Sequence, residues 1–234
     1  MKNINQSKEA NVTKVFDDVF NKYDLMNDIM SFGAHRVWKN KLIDWMNPGK
    51  NDHIIDIASG TGDVAKAFLK RTNFNGIVKC VEPNKNMLEV GKKKLEKFKN
   101  VKWFCSSAEK LPFKDETFDI YVVSFGIRNF SNINVALKES KRVLKTGGRF
   151  LCLEFSKVNN EVLSTIYERY SKLIPYLGKY IVGKSEPYDY LIKSINDFYS
   201  QDELLNLIKS TGFENTEYRD LSGGIAAIHS GWKI

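Results

Sequence analysis

A short apolar run that ends in a glycine-rich turn constrains the fold of this chain more than any other feature. The run covers residues 54–58, and the turn that follows is Ser59-Gly60-Thr61-Gly62-Asp63. Apolar residues then recur at helical spacing through residue 69, so the pattern predicts a strand, a tight turn and a helix. Gly60 and Gly62 can adopt positive φ and let a ligand contact bare backbone. With Ala65 the run satisfies the loose dinucleotide-binding pattern, which indicates a nucleotide-like ligand but fits a plain turn capped by Asp63 almost as well.

Two carboxylates narrow the class of ligand. Asp63 opens the predicted helix, where a fixed anion would repel the pyrophosphate of a dinucleotide. Glu82 ends the next apolar run, about twenty residues after the glycines, which is the usual place of an acid that binds ribose hydroxyls. A ligand with a ribose, a cationic centre and no phosphate fits this pair, and S-adenosylmethionine is such a ligand. With Glu82 present, the plain turn becomes the weaker interpretation.

Length and composition predict one soluble domain. The chain has 234 residues, 42% of them hydrophobic, which is enough for one packed α/β core. No apolar run is as long as a membrane-spanning helix, and the first ten residues lack the apolar core of a signal peptide. Cys80, Cys105 and Cys152 show neither disulfide nor metal-ligand spacing, so reduced thiols in a cytoplasmic protein are expected.

The basic charge of the chain admits more than one interpretation. A net charge of +8 could indicate a nucleic-acid partner or an anionic membrane surface. Much of it comes from lysines in polar runs such as residues 92–94, which are typical of solvated helix faces. We therefore expect no nucleic acid as a partner. A methyltransferase or binding protein that acts on RNA is kept as an alternative, which a salt-sensitive gel shift would support.

From residue 53 onward strand and helix patterns alternate, which predicts βα units around a parallel sheet. The predicted strands are 53–58, 76–82, 101–105, 118–124 and 149–155, with helices at 62–71, 84–98 and about 132–144. A helix at 201–210 and strands at 213–221 and 224–232 follow, and Gly223-Gly224 predicts that these last two strands pair antiparallel. Ligands of open parallel sheets bind beyond the carboxyl ends of the strands. The residues expected to share that edge are 59–63, 82, 107–108 and 124–129.

Two further segments flank this core. The N-terminal one is expected to form a helical cap, with an apolar stripe at 11–23 and a second helix that ends near Met46. The other is an insertion with a predicted helix at 162–177 and a predicted loop at 185–195; long insertions are often lids or binding elements. The whole chain is predicted to be a single domain with a cap at 1–48, a cofactor-binding core at 49–156, a substrate-side insertion at 157–199 and a C-terminal helix and hairpin at 200–234.

Six short motifs accompany the glycine-rich turn. They are Lys22-Tyr23-Asp24-Leu25-Met26-Asn27-Asp28, Ser31-Phe32-Gly33-Ala34-His35-Arg36-Val37-Trp38-Lys39, Ser124-Phe125-Gly126-Ile127-Arg128-Asn129, Leu153-Glu154-Phe155-Ser156, Tyr188-x-Tyr190-Leu191-x-x-Ser194-Ile195 and Ala227-Ile228-His229-Ser230-Gly231-Trp232-Lys233. In this order they resemble the ubiquinone/menaquinone biosynthesis C-methyltransferases, a family of class I methyltransferases that use S-adenosylmethionine. The similarity runs from about residue 12 to the C-terminus. It implies an α/β fold with a doubly wound, mostly parallel sheet and an antiparallel C-terminal hairpin.

The resemblance also implies a set of cofactor-binding residues. The contacts of the family fall on Thr61, Glu82, Ser107, Ala108 and Ser124, and the glycine-rich turn adds Asp56, Gly60, Gly62 and Asp63 to the candidate S-adenosylmethionine site. This sequence departs from the commonest family pattern in three places. Ser59 stands where many members have Gly, whereas Glu82 and Ser107 stand where Asp and Asn are frequent. Glu82 can still accept two hydroxyl hydrogen bonds, and the Ser107 contact with adenine is expected to pass partly through backbone.

The implied reaction transfers a methyl group to a ring carbon of a polyprenyl benzoquinol or naphthoquinol. Ionisation of the ring hydroxyl makes that carbon nucleophilic, so the enzyme must stabilise a phenolate and later accept the ring proton. Arg128, with Asn129 beside it, is the predicted catalytic pair, because a guanidinium is always charged and could lower the pKa of the ring hydroxyl. His35 and Tyr190 are reserve candidates for the base. No metal is expected, since no cluster has ligand spacing.

The expected partner is the polyprenyl quinol, with its tail between the cap and the insertion. Such quinols reside in membranes, so transient contact with the inner face of the membrane is expected, helped by the apolar stripe at 11–23 and the basic charge. A homodimer or a quinone-biosynthesis complex is also considered. Besides the RNA alternative, a non-catalytic member of the fold and a methyltransferase for an unrelated phenol remain open, although the intact Asp56, Thr61 and Glu82 argue against the former.

Overall fold

A seven-stranded sheet forms the centre of the protein in a computed structural model that describes residues 27–29, 31, 33–159, 161, 165, 167, 169–170, 174–175 and 186–234. Its strands are β1 (His53–Ile57), β2 (Ile77–Val81), β3 (Val101–Phe104), β4 (Phe118–Ser124), β5 (Leu144–Phe155), β6 (Glu214–Leu221) and β7 (Ala226–Trp232). Their order across the sheet is β3-β2-β1-β4-β5-β7-β6. The first five strands in this order pair in parallel, whereas β7 is antiparallel to both β5 and β6. The predicted α/β fold with an antiparallel C-terminal hairpin is confirmed.

Helices cover both faces of this sheet. The described helices are α1 (Ala34–Met46), α2 (Asp63–Arg71), α3 (Lys85–Lys94), α4 (Ile133–Val143), α5 (Glu186–Asn196) and α6 (Gln201–Ser210). Neighbouring residues of β1 point to opposite faces, as the two-residue period of a strand requires. Ile54 packs in one buried cluster with Phe68 of α2, and Ile55 packs in another with Leu137 of α4. The strand is apolar at both positions because both of its faces are buried.

Most predicted boundaries agree with the structure, and β5 shows the clearest shift. Both β4 and α6 cover the residues predicted for them. β5 was expected to start at Arg149 after a turn at 145–148, but it begins at Leu144 and contains that turn as an irregularity. The pairing passes from Phe118 opposite Leu144 to Ile120 opposite Arg149, and Gly147 has a φ of +80°. The residues that suggested a turn therefore form a bulge within the ladder.

The loop predicted at 185–195 is wrong for its described residues, because 186–195 belong to helix α5. Pro187 lies in its first turn, where a missing N–H costs no intrahelical hydrogen bond. Pro187, Tyr188, Leu191 and Ile195 are its buried residues, and they recur at the spacing of one helix face. Ser185-Glu186-Pro187 suggested a loop at the sequence level, whereas the apolar period after it decides the structure.

Parts of the cap and the insertion lie outside the described residues. This applies to the helix predicted at 11–23. The helix predicted at 162–177 is described only at 165, 167, 169–170 and 174–175, and those residues are helical. The division of the chain into four parts of one domain stays a prediction. Within the part of the chain that the structure describes, no helix is both long and apolar enough to cross a membrane.

The C-terminal end of α1 is held by stacked arginine and tryptophan side chains. The guanidinium of Arg149 lies 5.0 Å from the ring centroids of both Trp45 and Trp232, and that of Arg219 lies 4.2 Å from the Trp45 ring. Nη1 of Arg149 also donates a hydrogen bond to the backbone oxygen of Trp45 at 2.7 Å. Trp45 belongs to α1, whereas Arg149 belongs to β5, Arg219 to β6 and Trp232 to β7. Cation–π contacts therefore join the first described long helix to the last strands of the chain.

Nearer the start of α1, Trp38 connects the helix with the carboxyl ends of the sheet strands. Its Nε1 donates a hydrogen bond to Oγ of Ser222, in the turn between β6 and β7, at 3.0 Å. Its ring packs on Phe125 and Phe155, with centroid distances of 6.2 and 6.0 Å. Because Phe125 directly follows β4, α1 lies against the edge where the candidate site residues were predicted.

Substitutions at Tyr188 test how α5 is anchored. The side chain is fully buried, and its hydroxyl has no hydrogen-bond partner in the described part of the chain. Tyr188→Phe should leave the free energy of unfolding unchanged or raise it, since no hydrogen bond is lost. Tyr188→Ala should lower it by about 3–5 kcal/mol through loss of buried ring and formation of a cavity. Urea unfolding measures both changes. A clear destabilisation by Tyr188→Phe would contradict the lack of a hydrogen-bond partner for the hydroxyl among the described residues.

Candidate functional site

The candidate site lies where the direction of strand addition reverses. β1 pairs with β2 on one side and with β4 on the other, so the chain builds outward from β1 to β3 and then returns to add β4 and β5. In open α/β sheets, ligands bind in the crevice at such a switch point, beyond the carboxyl ends of the strands. The residues after β1, β2, β3 and β4 therefore meet at one place, as predicted.

The turns after β1 and β4 contact each other closely and contain unusual backbone conformations. Ala58 and Phe125, neither of them glycine, have φ values of +50° and +56°. A Cβ added to Gly126 would lie 2.5 Å from the Cβ of Ala58. Gly126 is needed there because no side chain fits between the two turns. Strained non-glycine residues are frequent at functional sites, where surrounding contacts hold them in place.

Glu82 holds the glycine-rich turn through its carboxylate. Oε2 accepts a hydrogen bond from the backbone N–H of Gly60 at 2.9 Å, and Oε1 accepts one from the N–H of Asn84 at 2.9 Å. Burial raises the pKa of this carboxyl to about 7, although both N–H groups oppose the shift. Each carboxylate oxygen keeps a lone pair after these bonds. Glu82 can therefore accept hydroxyl groups while it fixes the turn.

A cavity of about 280 Å³ opens between these strand ends. Its walls include the predicted residues Gly60, Glu82, Ser107, Ala108 and Asn129. Phe125, within the predicted range 124–129, adds an apolar wall, as do Met87 and Phe130, which sequence reasoning did not identify. The volume is at the lower end of the range typical of small-molecule sites, which combine apolar walls with a few polar groups. Met87 could have been found from the sequence, because it lies three residues after Asn84, a residue type typical of helix N-caps that caps α3 here.

A second, smaller cavity adjoins the first and shares Ala58, Gly60 and Phe125 with it. Its polar walls comprise Lys39, Asp56, Ser59, Thr61, Asp63 and Ser124. Oδ2 of Asp56 and Oγ of Ser124 are buried, and neither has a hydrogen-bond partner among the described residues. Burial raises the pKa of the Asp56 carboxyl to about 8, opposed by Lys39 and the N–H of Ala65. Buried polar atoms without partners are costly, so this cavity is suited to a ligand with donor groups.

Asp63 carries two lysine partners at the start of α2. Nζ of Lys39 lies 2.9 Å from Oδ2, and Nζ of Lys94 lies 2.7 Å from Oδ1. Burial alone would raise the pKa of this carboxyl, but the two lysines lower it below its ordinary value. Lys94 also donates to Oγ1 of Thr61 at 3.2 Å. The lysines thus favour the ionised form of Asp63, whereas burial disfavours the ionised form of the neighbouring Asp56.

The side chain of Arg128 is buried and ion-paired. Its Nη1 lies 2.6 Å from Oε1 of Glu154 on β5 and donates to the backbone oxygen of Phe125 at 2.8 Å. Nε contacts Oγ of Ser194 on α5 at 3.4 Å. Arg128 is only 6% exposed and is not among the residues that line either cavity. Its predicted contact with a substrate hydroxyl stays a prediction. The contacts present hold the strained turn after β4 against β5.

Asn129, the neighbour of Arg128, does face the large cavity. Its Oδ1 accepts a hydrogen bond from the hydroxyl of Tyr190 on α5 at 3.0 Å. Burial raises the pKa of the Tyr190 phenol, although Arg128 opposes the shift. The phenol therefore remains protonated at neutral pH and acts as a donor. Because the amide oxygen is bound to Tyr190, the amide nitrogen of Asn129 is the group offered to a ligand.

Most of the predicted site residues line one of the two cavities, but some of them do not. Gly62 lines neither cavity; a side chain there would collide with Leu95 and Trp103, so its space serves packing. His35, a reserve candidate for the base, is buried with its Nε2 2.9 Å from Oδ1 of Asp28 and also lines neither cavity. Lys39 was missed, because no pattern links a residue before β1 to the glycine-rich turn.

Comparisons with known proteins bear on the family and the fold of this chain. The model of the ubiE/COQ5 methyltransferase family matches residues 4–233. A protein named ubiquinone/menaquinone biosynthesis C-methyltransferase UbiE from Rickettsia bellii (strain OSU 85-389) is 49% identical over 97% of this chain and 94% of its own length. One of the same name from Ruegeria sp. (strain TM1040) is 46% identical, over 97% of this chain and 92% of its own. A crystal structure of a methyltransferase from Thermotoga maritima superposes with a TM-score of 0.68 at 23% identity, covering 94% of this chain and 99% of that one, which supports the fold.

The two neighbouring acids should respond to pH in opposite ways. The pKa of Asp56 rises from 3.8 to about 8 on folding, so the contribution of Asp56 to the free energy of unfolding falls as pH rises through that interval. Asp56→Asn should therefore raise the free energy of unfolding at pH 8, with a gain that shrinks toward pH 4. Asp63→Asn is the matched control. It should lower stability at neutral pH, because the folded-state pKa of Asp63 is lowered, and the loss should fade below its ordinary pKa of 3.8.

Urea unfolding of wild type and both variants across this pH range measures these effects. A variant Asp56→Asn that is less stable than wild type at pH 8 would contradict the cost of burying an ionised carboxylate whose Oδ2 has no partner among the described residues. Equal pH dependence in the two variants would contradict the contrast between the two acids.

Proposed function

The chain belongs to the ubiE/COQ5 methyltransferase family, and from this premise we propose that it is an S-adenosylmethionine-dependent C-methyltransferase whose substrate is a polyprenyl benzoquinol, a demethylmenaquinol or both. The observation that carries the proposal is the pair of cavities that meet at Ala58, Gly60 and Phe125. One is large and mostly apolar with a ribose-binding acid, and the other is small, polar and acidic. S-adenosylmethionine has the same division, because it joins a nucleoside to a charged amino acid.

The residues present fit the cofactor. Glu82 would accept the ribose hydroxyls, and Ser107, Ala108 and Met87 would lie around the base in the large cavity. The unpartnered buried oxygens of Asp56 and Ser124 suit the amino-acid end, where an ammonium group can donate to them. When bound, S-adenosylmethionine supplies a methyl group on a sulfonium centre for a nucleophilic ring carbon to attack. Thr61, Gly60 and Asp63 complete the proposed binding set, with Gly62 supporting the turn.

For the reaction itself, we propose that Asn129 binds the ring oxygen of the substrate. Asn129 lines the large cavity, and because Tyr190 donates to its amide oxygen, its amide nitrogen is the proposed donor to the substrate. A fixed donor at this place favours the ionised ring hydroxyl, since it costs no reorganisation as charge develops. The raised pKa of Tyr190 makes it a donor at neutral pH, so its proposed role is to orient Asn129.

Arg128 is kept in the catalytic proposal through its effect on this same turn. Its ion pair with Glu154 and its bond to the Phe125 carbonyl hold the segment that carries Asn129. A direct contact with the ring hydroxyl would require the guanidinium to leave a buried carboxylate, which is costly. Positioning of Asn129 is therefore the role that the contacts support best.

The proposal extends to the tail of the substrate and to the membrane. Tyr170 donates a hydrogen bond to the backbone oxygen of Ile29, so cap and insertion meet, and Ile174 of the insertion is buried. The apolar tail is proposed to lie between these segments. A cytoplasmic protein that touches the inner face of the membrane transiently, alone or as a homodimer or part of a quinone-biosynthesis complex, suits such a substrate and the net charge of +8.

Removal of the Glu82 carboxylate tests the cofactor. Glu82→Ala should weaken S-adenosylmethionine binding by roughly 2–4 kcal/mol, since two charge-assisted hydrogen bonds are lost. Isothermal titration calorimetry measures the change. Glu89→Ala on α3 removes an exposed carboxylate and should bind like wild type. Unchanged affinity in Glu82→Ala, or binding of NAD in place of S-adenosylmethionine, would contradict the assignment.

Substitutions at Asn129 and Tyr190 test the proposed orientation. Asn129→Ala should lower kcat roughly a hundredfold, as loss of one fixed donor does in other enzymes. Tyr190→Phe should lower it about tenfold or more, because a freely rotating amide is misplaced. Neither should change cofactor affinity. The double variant should be no slower than Asn129→Ala alone, since Tyr190 acts through Asn129.

Tyr199→Phe, at an exposed tyrosine, is the control for loss of a phenol. If the effects of Asn129→Ala and Tyr190→Phe on kcat multiply in the double variant, Tyr190 acts independently of Asn129, and the orientation mechanism is wrong.

A further inference from the structure

Three ionisable side chains line the small cavity: Asp56 and Asp63 from the core, and Lys39 from α1. The two acids differ in state. Asp56 has a buried oxygen without a partner in the described part of the chain, whereas both oxygens of Asp63 contact lysine ammonium groups. The cavity thus combines an unsatisfied acid with a cation close to it. That combination is complementary to a ligand which carries an ammonium and a carboxylate on one carbon.

Asp63 has a second ammonium partner besides Lys39. Nζ of Lys94 lies 2.7 Å from the other oxygen of Asp63. Lys94 is the last residue of α3, which belongs to the predicted cofactor-binding core. The second lysine adds a positive charge beyond what this carboxylate needs. Lys39 has a side chain that is 13% exposed, and it lines the small cavity, unlike Lys94. A largely desolvated ammonium of this kind binds an additional anion more strongly than a solvated one does.

We propose that Lys39 binds the carboxylate at the amino-acid end of S-adenosylmethionine, while Asp56 accepts its ammonium group. The proposal rests on the proposed cofactor and assigns a binding role to a residue that lies before the first strand. The ligand's carboxylate would meet the ammonium of Lys39, and its ammonium would favour the ionised form of Asp56. The buried oxygen of Asp56 would then gain a donor.

The neighbour of Lys39 gives this contact a wider effect. Trp38 packs on Phe125, which forms part of the wall between the two cavities. A bond between Lys39 and the ligand would therefore hold α1 against the turn after β4. The alternative is that Lys39 only clamps α1 onto α2 through Asp63. Both roles predict weaker ligand binding after substitution, but only the proposed one depends on the ligand's carboxylate.

The test compares two ligands that differ in that group alone, S-adenosylmethionine and decarboxylated S-adenosylmethionine. Their affinities for the full chain are measured by calorimetry. Wild type should bind S-adenosylmethionine roughly tenfold more tightly or better, the effect of a charge-assisted hydrogen bond. Lys39→Met should lose most of this preference, by weakening S-adenosylmethionine while leaving the decarboxylated ligand nearly unchanged. Lys94→Met is the matched control, because it also removes a partner of Asp63 and should change both affinities by a similar factor.

Each outcome decides the question. Equal affinity of wild type for the two ligands, or a Lys39→Met variant that keeps the wild-type preference, would overturn the proposal and leave Lys39 as a clamp. If Lys39→Met does not fold, Lys39→Gln keeps a donor for Asp63 without the charge and should show the same loss of preference. Failure of wild type to bind either ligand would instead overturn the proposed cofactor, so the two failures are distinct.

Discussion

Adjacent parallel strands β1 and β4 bring their following turns to one point, where the space is so small that Gly126 has no room for a side chain beside Ala58. The rest of the site follows from this contact. It forces positive φ at Ala58 and Phe125, and it places both residues in the wall shared by the two cavities. The ion pair of Arg128 with Glu154, behind the wall, keeps the second turn in this conformation. The site is therefore shaped by backbone geometry before any polar group contributes.

The polar groups around that wall are arranged at a cost to stability. Burial raises the pKa values of Asp56 and Glu82 to about 8 and about 7, so the ligand-free protein holds two carboxyl groups in surroundings that disfavour their charge. Glu82 is partly compensated by two backbone N–H groups, but Oδ2 of Asp56 has no partner among the described residues. Such an arrangement is typical of a binding site, in which the ligand supplies the missing donor.

The sequence predicted the core well, because its signals are local. The limits of β4 and the acid at the end of β2 follow from apolar runs and from spacing along one chain segment. The side-chain contacts of Arg128 could not be predicted. Its ion-pair partner Glu154 lies on β5, and no local pattern joins the two residues. For the same reason Lys39 was missed. α5 was mistaken for a loop because turn-forming residues at its start outweighed an apolar period that only tertiary burial makes decisive.

The stacked contacts around Trp45 have a consequence for the order in which the protein is completed. α1 leaves the ribosome before any strand of the sheet, whereas Arg219 and Ser222, which contact it, are synthesised only after β5. Its final position therefore depends on a hairpin that does not yet exist while the core is folding. A nascent chain that ends after β5 contains Asp56 and Glu82 but lacks the clasp on the helix that carries Lys39. The position of the helix that carries Lys39 is therefore fixed by contacts that form only after β5 has been made.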